Sequence, residues 1–384
     1  MRTEQVRWSK EKGWLPKAPG LMDIDPKLVL VFAGRGVLED STHFDEIRRA
    51  FPRAQIAGCS TSGEIFDIEV TDDDLTVTAV EFDTTTTAQA SLRIGSASES
   101  FEVGKKIVEA LPSEGLRHIL MFSVGTNING SDLVKGAMTS VPEGVTITGG
   151  LAGDGARFER TFTVSNDGAF EDRVVAIGLY GTEIEVGYAS VGGWDTFGPE
   201  RLVTKSKGNV LYELDGKSAL KLYKTYLGEH AEGLPASGLL FPLSIRSEGH
   251  PSALVRTILA VNEEDQSITF AGDIPERSYA QMMQANFDRL VQGAVDAAKN
   301  TQSAEHGSTE LALLISCVGR KLVLKQRVEE EVEGVREIFG QRAILTGFYS
   351  YGEISPFTLN VGCELHNQTM TITTFRERTK SSEA

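Results

Sequence analysis

The chain has 384 residues, enough for two or three ordinary domains and a large core. With 40% hydrophobic and 24% charged residues it reads as a folded globular protein, and its formal net charge of −16 repels a phosphate backbone, which excludes nucleic acid as a partner. No apolar run approaches the ~20 residues of a membrane helix, and the basic start "MRTEQVRWSKEKGW" lacks the apolar stretch of a secretory signal.

The three cysteines, Cys59, Cys317 and Cys363, lie far apart and form no C-x-x-C pair, so each reads as a small buried hydrophobe. Together these features predict a cytoplasmic protein without membrane insertion.

Along the chain one pattern returns three times. The runs "LVLVFAGR" (28–35), "HILMFSVG" (118–125) and "LALLISCVGR" (311–320) are continuously apolar, as strands buried on both faces are. A helical stretch follows each: "EDSTHFDEIRRAF", "SDLVKGAMTSV", and Lys321 to Phe339 with Leu324, Val328, Val332, Val335 and Phe339 at helical spacing. In the third, Glu329-Glu330-Glu331 is expected to be a solvated face. Then comes a second strand ending in a glycine-rich loop: "AQIAGCSTSGEI", "VTITGGLAGD" and "RAILTGFYSYGEI".

The first and third copies agree down to Gly34-Arg35 and Gly319-Arg320, and to Ala54 and Ala343 four residues before each loop glycine. The predicted fold is therefore α/β and two-lobed, with strand-helix-strand repeats, mixed sheets and glycine-rich loops at strand ends.

The intervening sequence is β-rich. Residues 73–83 and 84–95 alternate and predict a hairpin; 157–181 predicts two strands around the Asn166-Asp167-Gly168 turn. Beyond a boundary drawn near 195–208, Gly208-Asn209 predicts a turn, 217–227 a helix, 252–272 a hairpin and 288–300 a helix. The domains are placed at 28–200 and 208–375, sharing an interface, and "SSEA" at the end reads as a frayed tail.

The repeated phrase has two readings. Glycines let backbone N–H groups approach a ligand, hydroxyls bond it, and a carboxylate holds a cation. Copies converging on one cleft between lobes would bring together Arg35, Ser60, Thr61, Ser62, Glu64, Asp154, Arg320, Tyr349, Ser350, Tyr351, Glu353 and Asn367. On the other reading the phrase is a tight corner, with Ser60 and Ser350 capping backbone donors and Glu64 and Glu353 paired to Arg35 and Arg320.

No P-loop, nucleophile elbow, dinucleotide loop or histidine metal pair is present. Of six histidines, His43, His230 and His306 read as solvated, His118 opens a strand, and His250 sits in a turn. His366, in "LHNQT", is either a hydrogen-bonded strand residue or a ligand.

"AGCSTSGEI" and "TGGLAGDG" resemble the FIST N domain. "NVLYELDGKSALKLYKTYLG", "SCVGRKLVLKQRVEEEVEGVREIFG", "TGFYSYGEISP" and "LHNQTMTI" resemble the FIST C domain. The resemblance runs from about residue 28 to about 375.

It implies a signal-transduction input module that binds a small ligand, with amino acids proposed for the family. A two-domain layout like this one also resembles the nitric oxide-sensing haem proteins called NosP, which act on a separate histidine kinase or cyclic-di-GMP enzyme. That layout tips the expectation toward haem and nitric oxide, with a small polar metabolite as the alternative. Haem here would be haem b, since there is no C-x-x-C-H, and His366 would be its axial ligand. An enzyme using Glu64, Glu353 or Asp154 as acid or base is a further alternative, and no catalytic constellation supports it.

Overall fold

The structure is a computed structural model that describes residues 1–247, 253–302, 308–356 and 362–378. His250, His306 and the terminal "SSEA" lie outside the described residues.

Each apolar run is the centre of its own mixed sheet and pairs in parallel with the strand before its glycine loop. Leu28–Ala33 pairs with Gln55–Ser60, Leu116–Ser123 with Thr146–Leu151, and Leu311–Cys317 with Ile344–Ser350. A later strand closes the other side antiparallel: Leu75–Glu81, Arg173–Tyr180 and Met370–Glu377. Beyond it lies Arg2–Ser9, Thr86–Arg93 or Ile184–Val191. Three units of one design therefore make up the body.

The unbroken hydrophobicity follows from this. Leu28, Leu30 and Phe32 face a common core together with Leu120, Phe122, Leu311, Leu313 and Ile315. The alternate residues Val29, Val31 and Ala33 face the unit's own helix Thr42–Ala50, through Ile47. A strand covered on both faces has no solvent side to carry polar residues. At the centre the rings of Phe32 and Phe348 stack 4.8 Å apart and Phe122 lies 5.8 Å from Phe32.

After each glycine loop the chain leaves its own sheet. Glu64–Phe66 of the first unit pairs with Ile344–Ser350 of the third. Gly352–Pro356 of the third pairs with Thr146–Leu151 of the second, and Thr163–Ser165 of the second pairs with Gln55–Ser60 of the first. The exchange is cyclic and closes on itself.

The second lobe, an eight-stranded antiparallel sheet, is inserted in the third unit between the strand Ile184–Val191 and the helix Phe287–Asn300. It spans Trp194 to Ala285 and packs the helix Ala219–Leu227 on its own core. Residues 195–208, where the sequence suggested a boundary, form most of this lobe's first strand, Trp194–Lys207, and the turn after it.

Three local expectations change. The segments 73–83 and 84–95 are not a hairpin: they join the first and second sheets. The chain parts there because Glu377 collects the backbone N–H groups of Asp83, Thr84 and Thr85 at 2.6, 3.0 and 2.7 Å. The single helix expected from Lys321 is two, Val318–Leu324 and Val328–Phe339, broken at Lys325 with φ of 53°. Glu331 is wholly buried rather than solvated, bonded at 2.8 Å to Arg320. Eleven residues along a straight helix would separate that pair by about 16 Å, so the break lets it form.

Candidate functional site

The glycine loops meet as a ring of backbone hydrogen bonds. Ser62 N–H donates to Tyr349 O (2.8 Å), Tyr349 N–H to Gly63 O (2.8 Å), Tyr351 N–H to Leu151 O (3.2 Å) and Gly153 N–H to Ser60 O (2.9 Å). Glycine is required where the parallel strands pass closest. A Cβ on Gly58, Gly149 or Gly347 would overlap the carbonyl oxygen of Val31, Met121 or Leu314, three equivalent positions. Gly58 and Gly149 also hold φ of 157° and 153°.

The ring's polar side chains are buried and bonded to one another. Ser60 Oγ donates to Gly153 O (2.7 Å) and accepts from Phe162 N–H (2.8 Å), and Ser62 Oγ donates to Gly155 O (3.0 Å). Glu64 accepts from the Thr61 hydroxyl and from Asp74 N–H (3.1 Å). Glu353 repeats this with Ser350 Oγ (2.6 Å) and Thr369 N–H (3.2 Å). Each glutamate thus ties its loop to the residue just before the unit's closing strand. Burial raises both carboxyls to about 8.

The second unit departs from this. Ala152 replaces the hydroxyl, and Asp154 stands one position earlier than the glutamates. Asp154 accepts from the N–H groups of Phe158, Glu159 and Arg160 at 2.9, 3.2 and 3.1 Å, from the Tyr351 hydroxyl, and from Arg35 at 3.0 Å.

The corner reading paired Glu64 and Glu353 with Arg35 and Arg320; the structure pairs those arginines elsewhere. Arg35 holds Asp154 and Glu159 and borders an open depression of about 460 Å³. Arg320, fully buried, bonds Glu331, Gly192 O (2.8 Å) and Leu290 O (2.6 Å). Those two carbonyls flank the inserted lobe at its entry and exit. Tyr349 completes the network by donating to Glu331 at 2.6 Å. Lys321, expected from the sequence only as a helix residue, donates to Ser62 O at 2.9 Å.

Asn367 is buried, and its amide atoms have no hydrogen-bond partner among the described residues. His366 is 2% exposed, its Nε2 lies 2.9 Å from Ser355 O, and burial lowers its pKa to about 4. A haem ligand needs a ring nitrogen open to the iron, so His366 does not fit that role in this arrangement. His118 is buried between the hydroxyls of Thr146 (2.7 Å) and Thr148 (2.9 Å), and His43 packs on Trp8 rather than standing in solvent. The three cysteines are buried and free, as expected, and burial pushes their thiols up.

A ligand-sized space lies elsewhere, at the seam between the inserted lobe and the body. It holds about 420 Å³ and is mostly apolar, with Val134 and Met138 from the second unit, Ile245 and Leu254 from the lobe, and Leu365 from the third unit. Four charged groups border it: Lys135, Arg256, Asp273 and Glu364. Lys135 is paired with Asp273, which also accepts from Asn129 Nδ2 at 3.2 Å. Glu364 is engaged as well. Arg256 is 4% exposed and donates to Asp273 O (3.1 Å), Val255 O (3.3 Å) and Leu365 O (3.0 Å). Burial draws its guanidinium down to about 10.

None of the residues expected from the sequence lines this cavity. Its lining comes from four separated segments and makes no motif. Arg256, a charged residue inside the apolar strand text "ALVRTIL", is the one signal sequence reading had available.

Fold and cavity together define a two-lobed α/β protein with room for a small molecule at its seam. The chain belongs to the FIST family: the FIST N domain matches residues 27–217 and the FIST C domain residues 219–356.

An uncharacterized protein of Methanocaldococcus jannaschii is 23% identical over 346 residues, which cover 83% of this chain and 64% of the relative. This chain thus spans less than two thirds of that relative's length. A crystal structure of cyanuric acid hydrolase from A. caulinodans covers 98% of this chain and 99% of its own at a TM-score of 0.36 and 8% identity, too remote a likeness to inform function. No helix among the described residues is long and apolar enough to cross a membrane.

Proposed function

We propose that this protein is the ligand-sensing component of a signalling system and that it takes a small organic molecule into the seam cavity. The observation that carries this is the cavity's position. It is walled by the lobe on one side and by the second and third units on the other. A ligand there touches both, so its binding energy differs with the lobe's position, which is what a sensor requires. The chemistry is binding rather than catalysis: both oxygens of Glu64, Glu353 and Asp154 are occupied by hydrogen bonds inside the ring. The receiving partner, a histidine kinase or cyclic-di-GMP enzyme in trans, is proposed from family membership alone.

Of the two ligand readings the geometry favours the metabolite over haem with nitric oxide, because the expected axial histidine is tied to Ser355. The test is binding to the full chain, by calorimetry, of a metabolite panel including amino acids and carboxylic acids, with Leu254→Trp as the cavity-filled control. Saturable binding lost in Leu254→Trp is the expected result. Binding indifferent to that substitution overturns the cavity assignment. A Soret band that shifts with nitric oxide, in protein from cells given a haem precursor, restores the haem reading.

A further inference from the structure

Resting on that placement of the ligand, the structure also indicates its chemical class. We infer that the cavity holds a monocarboxylic acid with an apolar body, anchored by the guanidinium of Arg256.

The inference begins with hydrogen-bond supply. A guanidinium has five N–H donors in a fixed fork. In Arg256, Nε and Nη1 reach three backbone carbonyls, and Nη2 has no acceptor among the described residues. No carboxylate among the described residues forms an ion pair with Arg256, whereas Lys135 beside it is held by Asp273 and Asp132. Glu364 and the Asp273 carboxylate favour the charged form of Arg256 without forming an ion pair with it. Among the described residues the cavity therefore presents one buried cation with spare donors.

A buried charge without a close counter-ion is costly, and a carboxylate entering the cavity would supply that counter-ion through two parallel N–H···O bonds. One available cation matches one negative charge, which disfavours a phosphate dianion. The walls decide the rest of the ligand. Val134, Met138, Ile245, Leu254 and Leu365 offer hydrocarbon contact, so affinity should climb with apolar length until the space is filled.

Arg256 also spans the seam, from the lobe to Leu365 O of the third unit at 3.0 Å. A carboxylate drawn to its free face would share the group that joins the two lobes.

The experiment measures acetate, butanoate, hexanoate and 3-phenylpropanoate against the primary amide of each, on unmodified full-length protein. We expect affinity to rise about threefold to fourfold per added methylene and to fall at least tenfold from acid to amide. Arg256→Lys keeps the charge and loses the fork, and should weaken the acids at least tenfold and the amides less. Amides that bind as well as their acids overturn the inference even where Leu254→Trp abolishes both, an outcome that keeps the cavity as the site. No saturable binding by any of the acids also overturns it. Because the acid–amide comparison uses the unaltered chain, misfolding of a variant cannot decide the result.

Discussion

The loop ring and the seam cavity use the same kinds of group to opposite ends. In the ring, Glu64, Glu353 and Asp154 are buried and every carboxyl oxygen is hydrogen-bonded to the ring itself or to the segments it ties. In the cavity, Arg256 is nearly as deeply buried, yet part of its fork has no acceptor among the described residues. Satisfied polar groups lock a structure; unsatisfied ones await a partner. The ring is accordingly a joint. It is where each chain segment passes from its own sheet to a neighbour's, and a joint in a closed exchange has to be rigid. The cavity lies where two lobes meet, and there a reserve of bonding capacity serves recognition.

That contrast can be broken most forcefully at Arg320. Removing one member of a fully buried pair strands the other, typically at a cost of about 3–5 kcal/mol. Arg320→Met should cost that much in urea unfolding, because Glu331 would lose its ion pair and the carbonyls of Gly192 and Leu290 their donor. Converting Glu331 to Gln as well should recover part of the loss. If Arg320→Met is nearly neutral, the lobe is not held at its roots as described.

Gly58→Ala comes next. Its Cβ would overlap the carbonyl of Val31, and its φ of 157° suits no other residue well. We expect a loss of about 3 kcal/mol or more, against about 1 kcal/mol for Gly115→Ala, where φ is 73° but nothing stands within 4 Å. Equal costs would mean that the parallel strands separate easily and the ring is looser than drawn.

Much of this molecule could be read in advance, and the parts that could not share a cause. The parallel pairs were legible because two-sided burial writes itself as an unbroken apolar run, as in Leu28–Ala33 and Leu311–Cys317. The repeat was legible too, since the same close approach demands glycine at 58, 149 and 347. Its purpose was not. Nothing in "GCSTSGEI" records that Glu64–Phe66 will pair with a strand 280 residues away. The same non-locality turned an expected hairpin into two strands of different sheets and put Glu331, in an acidic run, opposite Arg320. The cavity was hidden for a related reason. Its walls converge from positions between 131 and 365, and only folding brings them together.

The smallest effect sharpens the comparison most, since it separates ring from cavity by pH. Glu64 and Glu353 have carboxyls raised from 4.5 to about 8, so between those values the native state keeps protons the unfolded chain has released. Stability contributed this way falls as pH rises. His118 and His366 oppose it at lower pH. Lowered from 6.5 to about 3 and about 4, they add stability as pH rises toward 6.5. From pH 6.5 to 8 the two glutamates are left as the strongly shifted groups that titrate. Unfolding free energy should decline across that window, by at most about 1.4 kcal/mol per pH unit for each. Glu353→Gln should remove roughly half the slope, and adding Glu64→Gln should flatten it. Over the same window carboxylate affinity at the cavity should stay level, because Arg256 remains charged to about 10. A slope left unchanged in the double variant would mean that the ring glutamates titrate alike in the native and unfolded states, and the distinction between a sealed joint and a receptive seam would fall with it.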